Sequence, residues 1–260
     1  MAKNLLSKVM IKETKSDNSY AEDLIKKIED GYLAERGPKH QTKKSFAPST
    51  LTYGHGECAR YWYLAFEGGT FEDNADAFAV ANMTSGSMSH ERIQKAIKDA
   101  GILIEQEFVV KSEDPPVFGY GDVLINWQDE EVIGEIKTMS NEAFEYRKTH
   151  MKPKTSHLEQ LLIYMKILKK AKGALIYENK NNHELLVLPI NVNDHYIEWV
   201  DTAFEWMRTV RKAWEDKTLP MKNYRSNSKI CKNCPLAKVC ATAEVGSIKI
   251  KSLEELSEIM

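Results

Sequence analysis

Two acidic residues and a lysine are the groups in this chain most suited to chemistry. Asp122 closes the run Gly119-Tyr120-Gly121-Asp122, and Glu135-Ile136-Lys137 lies on the next apolar segment. Phe118 to Trp127 is rich in Val, Leu and Ile, and Glu131 to Thr138 alternates Val132, Gly134 and Ile136 with Ile133, Glu135 and Lys137, so both read as strands. Side chains two apart on a strand share a face, and Glu135 and Lys137 therefore point the same way. Gln128-Asp129-Glu130 supplies polar turn residues that bring Asp122 alongside them as a hairpin. A hard divalent cation such as Mg²⁺ takes one or two carboxylates plus water and phosphate, and a lysine beside it can orient or deprotonate the attacking water. A cross-strand salt bridge with no catalytic meaning is the other reading of the same residues.

The cysteines form a second constellation. Cys231, Cys234 and Cys240 make a C-x2-C-x5-C segment, and Cys58 stands far upstream. In a reducing compartment this spacing signals a metal or cluster before it signals disulfides. A fourth ligand is Cys58 or a non-cysteine group.

The rest of the chain must hold these groups. At 260 residues with 42% hydrophobic composition it can bury a sizeable core, as one large domain or one with appendages. Lys plus Arg (36) against Asp plus Glu (38) leaves a formal charge of −2, so any nucleic-acid binding must come from local patches rather than a global field. No apolar run reaches membrane-spanning length, and the N-terminal Met-Ala-Lys-Asn-Leu-Leu-Ser-Lys lacks a signal peptide's apolar stretch. The expectation is a cytoplasmic protein with no membrane partner. No G-x-x-x-x-G-K-[S/T] pattern occurs, so unwinding of a duplex would need a partner.

Residues 1 to 19 are polar and read as irregular, and Tyr20 to Leu33 has a peripheral helix's periodicity. Ala34 to Ser49 is basic, broken by Gly37-Pro38 and Ala47-Pro48, and reads as loop. Ser49 to Leu64 reads as a turn opening into an aromatic-rich helix with Cys58 at the opening. Thr84 to Ser89 offers N-caps for a helix ending near Ala100 before Gly101, with His90, Ile93 and Ile97 on its inward stripe. Ile102 to Lys111 is a strand candidate. Ser140 to Ser156 reads as a polar loop in which Arg147, Lys148, Lys152 and Lys154 interleave with Phe144, Tyr146 and His150, a mixture suited to phosphates and stacked bases and equally to a solvated loop. His157 to Lys170 is the most apolar helix, with Gln160 and Tyr164 together at i and i+4. Strands at Ala174 to Tyr177 and Glu184 to Ile190 follow, then an amphipathic helix from Asp194 to Trp214 with Ile197, Val200, Phe204, Met207 and Trp214 as its core stripe. A basic region leads into the cysteines, and the tail is acidic at Glu254, Glu255 and Glu258. The order helix, three strands, helix, two strands is an α/β plan with a mixed sheet.

These residues, in this order, resemble the PD-(D/E)XK nucleases, and among them the RecB-like exonucleases with an iron–sulfur cluster, such as the CRISPR-associated adaptation exonuclease, the AddB nuclease domain and stand-alone phage proteins. Gly86-x-x-x-His90, Gly119-x-x-Asp122, Glu135-x-Lys137 and Gln160-x-x-x-Tyr164 match the family's motifs, and Cys58 with Cys231, Cys234 and Cys240 matches its cluster ligands. Gly121 stands where many members have proline. The resemblance implies a restriction-endonuclease-like core, a central mixed β-sheet flanked by helices, with a helical region closed by a 4Fe–4S cluster or, as the alternative, by Zn²⁺. It implies three parts: residues 1–48 as N-terminal helix and linker, 49–240 as the nuclease domain, and 241–260 as a tail. His90, Asp122, Glu135 and the Ile136 carbonyl would bind Mg²⁺ or Mn²⁺, Lys137 would position the water, and Gln160 and Tyr164 would support Lys137 and the DNA strand. The implied activity is metal-dependent exonuclease action on single-stranded DNA or duplex ends, in recombination, repair or phage DNA metabolism. A helicase or recombination protein would be the partner, in the host cytoplasm if the protein is phage-encoded. The alternative is a noncatalytic nucleic-acid-binding or regulatory protein on the same fold, with the cluster or zinc as a structural element.

Overall fold

The computed structural model of the protein describes residues 18–257, so the polar N-terminal stretch before Asn18 and Glu258 of the acidic tail lie outside the described residues. Of these residues, 18–36 and 75–84 form one compact unit, and 37–74 with 85–257 form another. The first holds α1 (Asn18–Leu33) and the opening turns of α4 (Ala77–Asp99). Leu24, Ile25 and Ile28 of α1 are all exposed, as the peripheral reading of this helix expects.

The second unit contains the sheet. Between β1 (Lys39–Gln41) and β2 (Gly69–Phe71), which pair antiparallel, lie α2 (Pro48–Leu51), a 3₁₀ turn at Gly54–Glu57 and α3 (Ala59–Glu67). The stretch from Ala34 to Ser49 is therefore not all loop. β3 (Leu103–Ser112), β4 (Val117–Trp127) and β5 (Glu130–Met139) follow α4, then α5 (Asn141–His150), α6 (Thr155–Leu168), β6 (Lys172–Asn179), β7 (Leu185–Asn191) and α7 (Asp194–Glu215). Short helices α8 (Lys229–Lys232), α9 (Ala237–Thr242) and α10 (Leu253–Leu256) complete the chain. No helix among the described residues is long and apolar enough to cross a membrane.

The five strands lie in the order β3-β4-β5-β6-β7, antiparallel except for the parallel pair β5 and β6. A parallel pair needs a crossover, which α5 and α6 supply. The β4–β5 hairpin turns through Gln128 and Asp129, both at positive φ (54° and 62°), the backbone twist that a two-residue hairpin loop favours. One face of the sheet packs on α3, α6 and α7 through Trp62, Phe66, Leu161, Tyr177 and Met207. The other packs on α4 through Ile93, Val123, Ile125, Ile136 and Ile176. Both β5 and β6 are buried on two faces, with Ile133, Leu175 and Tyr177 in the first core and Ile136, Ala174 and Ile176 in the second.

Three sequence readings change. Helix α4 starts at Ala77 because Asp76 Oδ1 accepts the Ala79 N–H at 2.7 Å, so Thr84 to Ser89 lie inside the helix and cap nothing. Ser140 caps α5 through the Ala143 N–H, turning an expected loop into a helix and sending Phe144 into the core, fully buried. Phe144 is thus no stacking platform. On α7 Ile197 is exposed, and Trp199, Trp206 and Val210 join Val200, Phe204 and Met207 in the buried stripe.

An ion pair ties α4 to the sheet. Arg92 Nη2 donates to Glu178 Oε1 at 2.6 Å, and His183 Nδ1 lies 3.2 Å from the same oxygen. Burial alone would raise the Glu178 carboxyl, but hydrogen bonds from Arg92 and Ser89, with the Arg92 charge, hold it below the ordinary carboxylate value. Arg92→Ala strips a buried carboxylate of its main partner and should lower unfolding free energy by about 1–3 kcal/mol. Denaturant unfolding of the two proteins measures this, and a change within about 0.5 kcal/mol would contradict it.

Candidate functional site

The site begins where the sheet departs from regularity. Simple alternation would put Val117, Gly119, Gly121, Val123 and Ile125 on one face. Instead Val117 belongs to the core under α3, α6 and α7, and Val123 and Ile125 belong to the core under α4. The reversal falls at Asp122. Across the ladder, Gln106 pairs with Val123 and Phe108 with Gly121, which sets Glu107 opposite Asp122. Glu107 has φ 50°, a left-handed conformation that costs a non-glycine residue about 1–3 kcal/mol. Gly119 and Gly121 permit close approach here. A Cβ at Gly119 would stand 2.6 Å from the Tyr164 hydroxyl oxygen, and one at Gly121 would stand 2.2 Å from the Phe108 ring.

Beyond Val123 and Gly134 the ladder between β4 and β5 ends. Asp122 bridges the fork, its Oδ2 accepting the Ile136 N–H at 2.6 Å, while its Oδ1 lies 3.5 Å from His90 Nδ1. The Asp122 carboxylate raises the His90 pKa above its ordinary value by hydrogen bonding, against the opposing effect of burial. Glu135, 1% exposed, turns toward α6: its Oε1 accepts from Lys137 Nζ at 2.5 Å and from Gln160 Nε2 at 2.7 Å. Its Oε2 is buried without a hydrogen-bond partner. Burial pushes the Glu135 carboxyl up, with Lys137 pulling the other way. Burial would lower Lys137, but Glu135 and Asp122 outweigh it and hold the ammonium charged. Gln160 Nε2 also lies 3.5 Å from the Tyr164 hydroxyl, whose pKa burial raises.

The structure thus gathers Asp122 with His90, and Glu135 with Lys137, Gln160 and Tyr164, around one fork. It also brings in two residues that sequence reasoning missed. His90, Glu107 and Asp122 each offer a ligand atom, all within 4.8 Å of one another, the one such group among the described residues. Gln94, buried on α4, donates to Glu107 Oε1 at 2.7 Å and to the Asp122 carbonyl at 3.1 Å. The sequence signal was the polar run Glu105-Gln106-Glu107 in an otherwise apolar strand. For Ile136 it is the N–H that meets Asp122.

Arg147, Lys152 and Lys154 line a cavity of about 710 Å³ with Tyr53, Tyr146, Glu57, Glu159 and Glu254. Tyr146 stacks on His150 with centroids 4.3 Å apart, and the Arg147 guanidinium lies 5.0 Å from the Tyr146 ring centre. On β4, Phe118 and Tyr120 are exposed and meet edge to face, 5.4 Å between centroids.

The four cysteines are free thiols lining a single largely apolar cavity of about 190 Å³, with His55, Tyr61, Leu64 and Leu236. Burial pushes Cys58 up and Cys234 up to about 12, reinforced by the neighbouring thiols. Arg60, next to Cys58, is buried and donates to the Pro220 carbonyl at 2.9 Å and the Glu244 carbonyl at 2.7 Å, on either side of the C-x2-C-x5-C segment.

The acidic wall of the larger cavity makes a pH prediction. Burial, reinforced by Glu254, raises Glu57 to about 7, and burial with Glu57 and Glu254 raises Glu159 to about 8. Groups whose folded pKa exceeds the unfolded one hold protons more tightly when folded, so the stability they contribute grows as pH falls and is lost as it rises through 7 to 8. The unfolding temperature should therefore climb between pH 8 and pH 5.5. Glu159→Gln should flatten that rise and stabilise the protein at pH 8 by about 1 kcal/mol or more. Thermal unfolding across this range tests it, and an unchanged slope in the variant would count against it.

No family model and no curated protein matches the chain. Among solved structures it is similar to an alkaline exonuclease, LHK-Exo, from Laribacter hongkongensis, at TM-score 0.43 and 16% identity over 52% of this chain and 71% of that one. The same exonuclease in complex with dAMP aligns at TM-score 0.44 and 16% identity, covering 56% and 75%. The structure of SSO0001 aligns at TM-score 0.42 and 17% identity, covering 87% of this chain and 98% of that one.

Proposed function

We propose that the protein is a metal-dependent deoxyribonuclease with a restriction-endonuclease-like core, acting as an exonuclease on single-stranded DNA or duplex ends. The observation that carries this reading is the buried set at the fork: Glu135 bonded to both Lys137 and Gln160, beside Asp122 and His90. Burying a carboxylate with an unpartnered oxygen next to a second carboxylate is costly unless a cation or a proton compensates it. That orphaned Oε2, with the hard oxygen and imidazole donors around it, fits a divalent cation such as Mg²⁺ or Mn²⁺. His90, Asp122 and Glu135 would hold it, and when bound it would supply Lewis-acid stabilisation of the phosphate and a more acidic water.

The chain's own residues do the rest. The Lys137 ammonium, fixed by Glu135 at 2.5 Å, orients the attacking water and offsets the negative charge that builds on the phosphate oxygens. Gln160 locks the Glu135 rotamer, and the i, i+4 spacing on α6 puts Tyr164 beside it under β4. Arg147, Lys152 and Lys154 offer cations for the DNA backbone, and Tyr146 offers a stacking face.

For the cysteines we propose an iron–sulfur cluster, with zinc as the alternative. Four thiols in one apolar cavity suit a thiolate-held group. Tetrahedral zinc with bonds of about 2.3 Å draws sulfurs to roughly 3.8 Å from each other.

Digestion of end-labelled single-stranded DNA with Mn²⁺ or Mg²⁺ tests the activity. The wild type should release label, and Lys137→Ala should slow release by about 100-fold or more. Binding of DNA without cleavage by either protein would put the noncatalytic reading ahead. For the cysteines, Cys58→Ser should abolish visible absorbance and lower the unfolding temperature, and a colourless, zinc-containing wild type would decide for the alternative.

A further inference from the structure

Glu107 lies outside every motif by which the chain resembles a nuclease, yet it stands in the middle of the site. It is set opposite Asp122 on β3, and its carboxylate comes within 4.8 Å of ligand atoms of both His90 and Asp122. Glu135 does not belong to that group. It is turned away to Lys137 and Gln160. Two carboxylates, Asp122 and Glu135, face one ammonium, Lys137, which bonds to Glu135, and Glu107 brings a further carboxylate up to Asp122. Like charges at this separation repel unless protons or a cation intervene.

The surroundings favour a cation. Gln94 orients the pair from behind, its amide donating to Glu107 Oε1 and to the Asp122 carbonyl, the arrangement in which an outer group fixes the aim of a metal-binding carboxylate. The backbone contributes as well. Glu107 occupies a left-handed φ of 50° that glycine would adopt freely, so the position holds a carboxylate where the backbone alone would favour none.

We infer that Glu107 is a ligand of the divalent cation, sharing it with His90 and Asp122, so that these ligands come from α4, β3 and β4. The inference rests on the nuclease reading only in taking the ion to be the hydrolytic one.

The experiment is titration of the full-length protein, cleared of Mg²⁺ and Mn²⁺ but keeping its cysteine-held group, with Mn²⁺ alone, by calorimetry and by the Mn²⁺-induced rise in unfolding temperature, for the wild type, Glu107→Gln and Glu107→Gly. Glutamine keeps an oxygen for Gln94, and glycine relieves the backbone. Both variants should unfold at or above the wild-type temperature without metal. Both should weaken Mn²⁺ binding by about 10-fold or more and lose most of the Mn²⁺-induced shift. Mn²⁺ affinity unchanged in both variants overturns the inference, and so does premature unfolding of both without metal, which would make Glu107 structural. Cleavage of single-stranded DNA by the wild type, measured alongside, separates the two readings: cleavage with normal Mn²⁺ binding by the variants refutes the role of Glu107 alone. A wild type that neither binds Mn²⁺ nor cuts refutes both.

Discussion

The hydrogen bond from the Ile136 N–H to Asp122 Oδ2 is the contact on which the site depends. Two antiparallel strands that separate leave backbone donors without partners, and such donors are costly inside a protein. Here β4 and β5 part after Val123 and Gly134, and the carboxylate of one strand satisfies the other. The fork can therefore stay open with its backbone paired. Into the opening project Glu135 and Lys137 from one strand and Asp122 from the other, with His90 reaching in from α4. A continuous ladder would have closed that space.

How much of this could be read from the residues depends on whether it follows from period or from a local backbone state. Glu135 and Lys137 share a face because strand alternation allows nothing else, and Gln160 and Tyr164 adjoin because a helix turns every 3.6 residues. The five-stranded mixed sheet with helices on both faces likewise follows from the order of apolar runs. Glu107 was illegible because its aim depends on one left-handed residue, and alternation predicts the wrong face on either side of it. Phe144 misled for a related reason: the Ser140 cap makes α5 a helix, and only its packing reveals that the aromatic side chain points inward. The early start of α4 hangs on Asp76, one acidic residue among several in that stretch.

The cysteine cavity stands apart from the fork, and the two make opposite demands on their surroundings. The fork gathers buried charge, Asp122 and Glu135 with the Lys137 ammonium. The thiols need exclusion of water, and they lie among Tyr61, Leu64 and Leu236 in the aromatic layer around α3.

Arg60 carries an implication for how the chain is made. Its guanidinium is 2% exposed and bonded to carbonyls at Pro220 and Glu244. A helix rich in tyrosine, tryptophan and phenylalanine is thus tied to residues 160 and 184 positions further along the chain. Contacts of such sequence separation form late and slow the search for the native state. Until those residues are made α3 lacks part of its cover, and apolar surface left exposed in this way makes a nascent chain prone to aggregate and its yield sensitive to the speed of elongation.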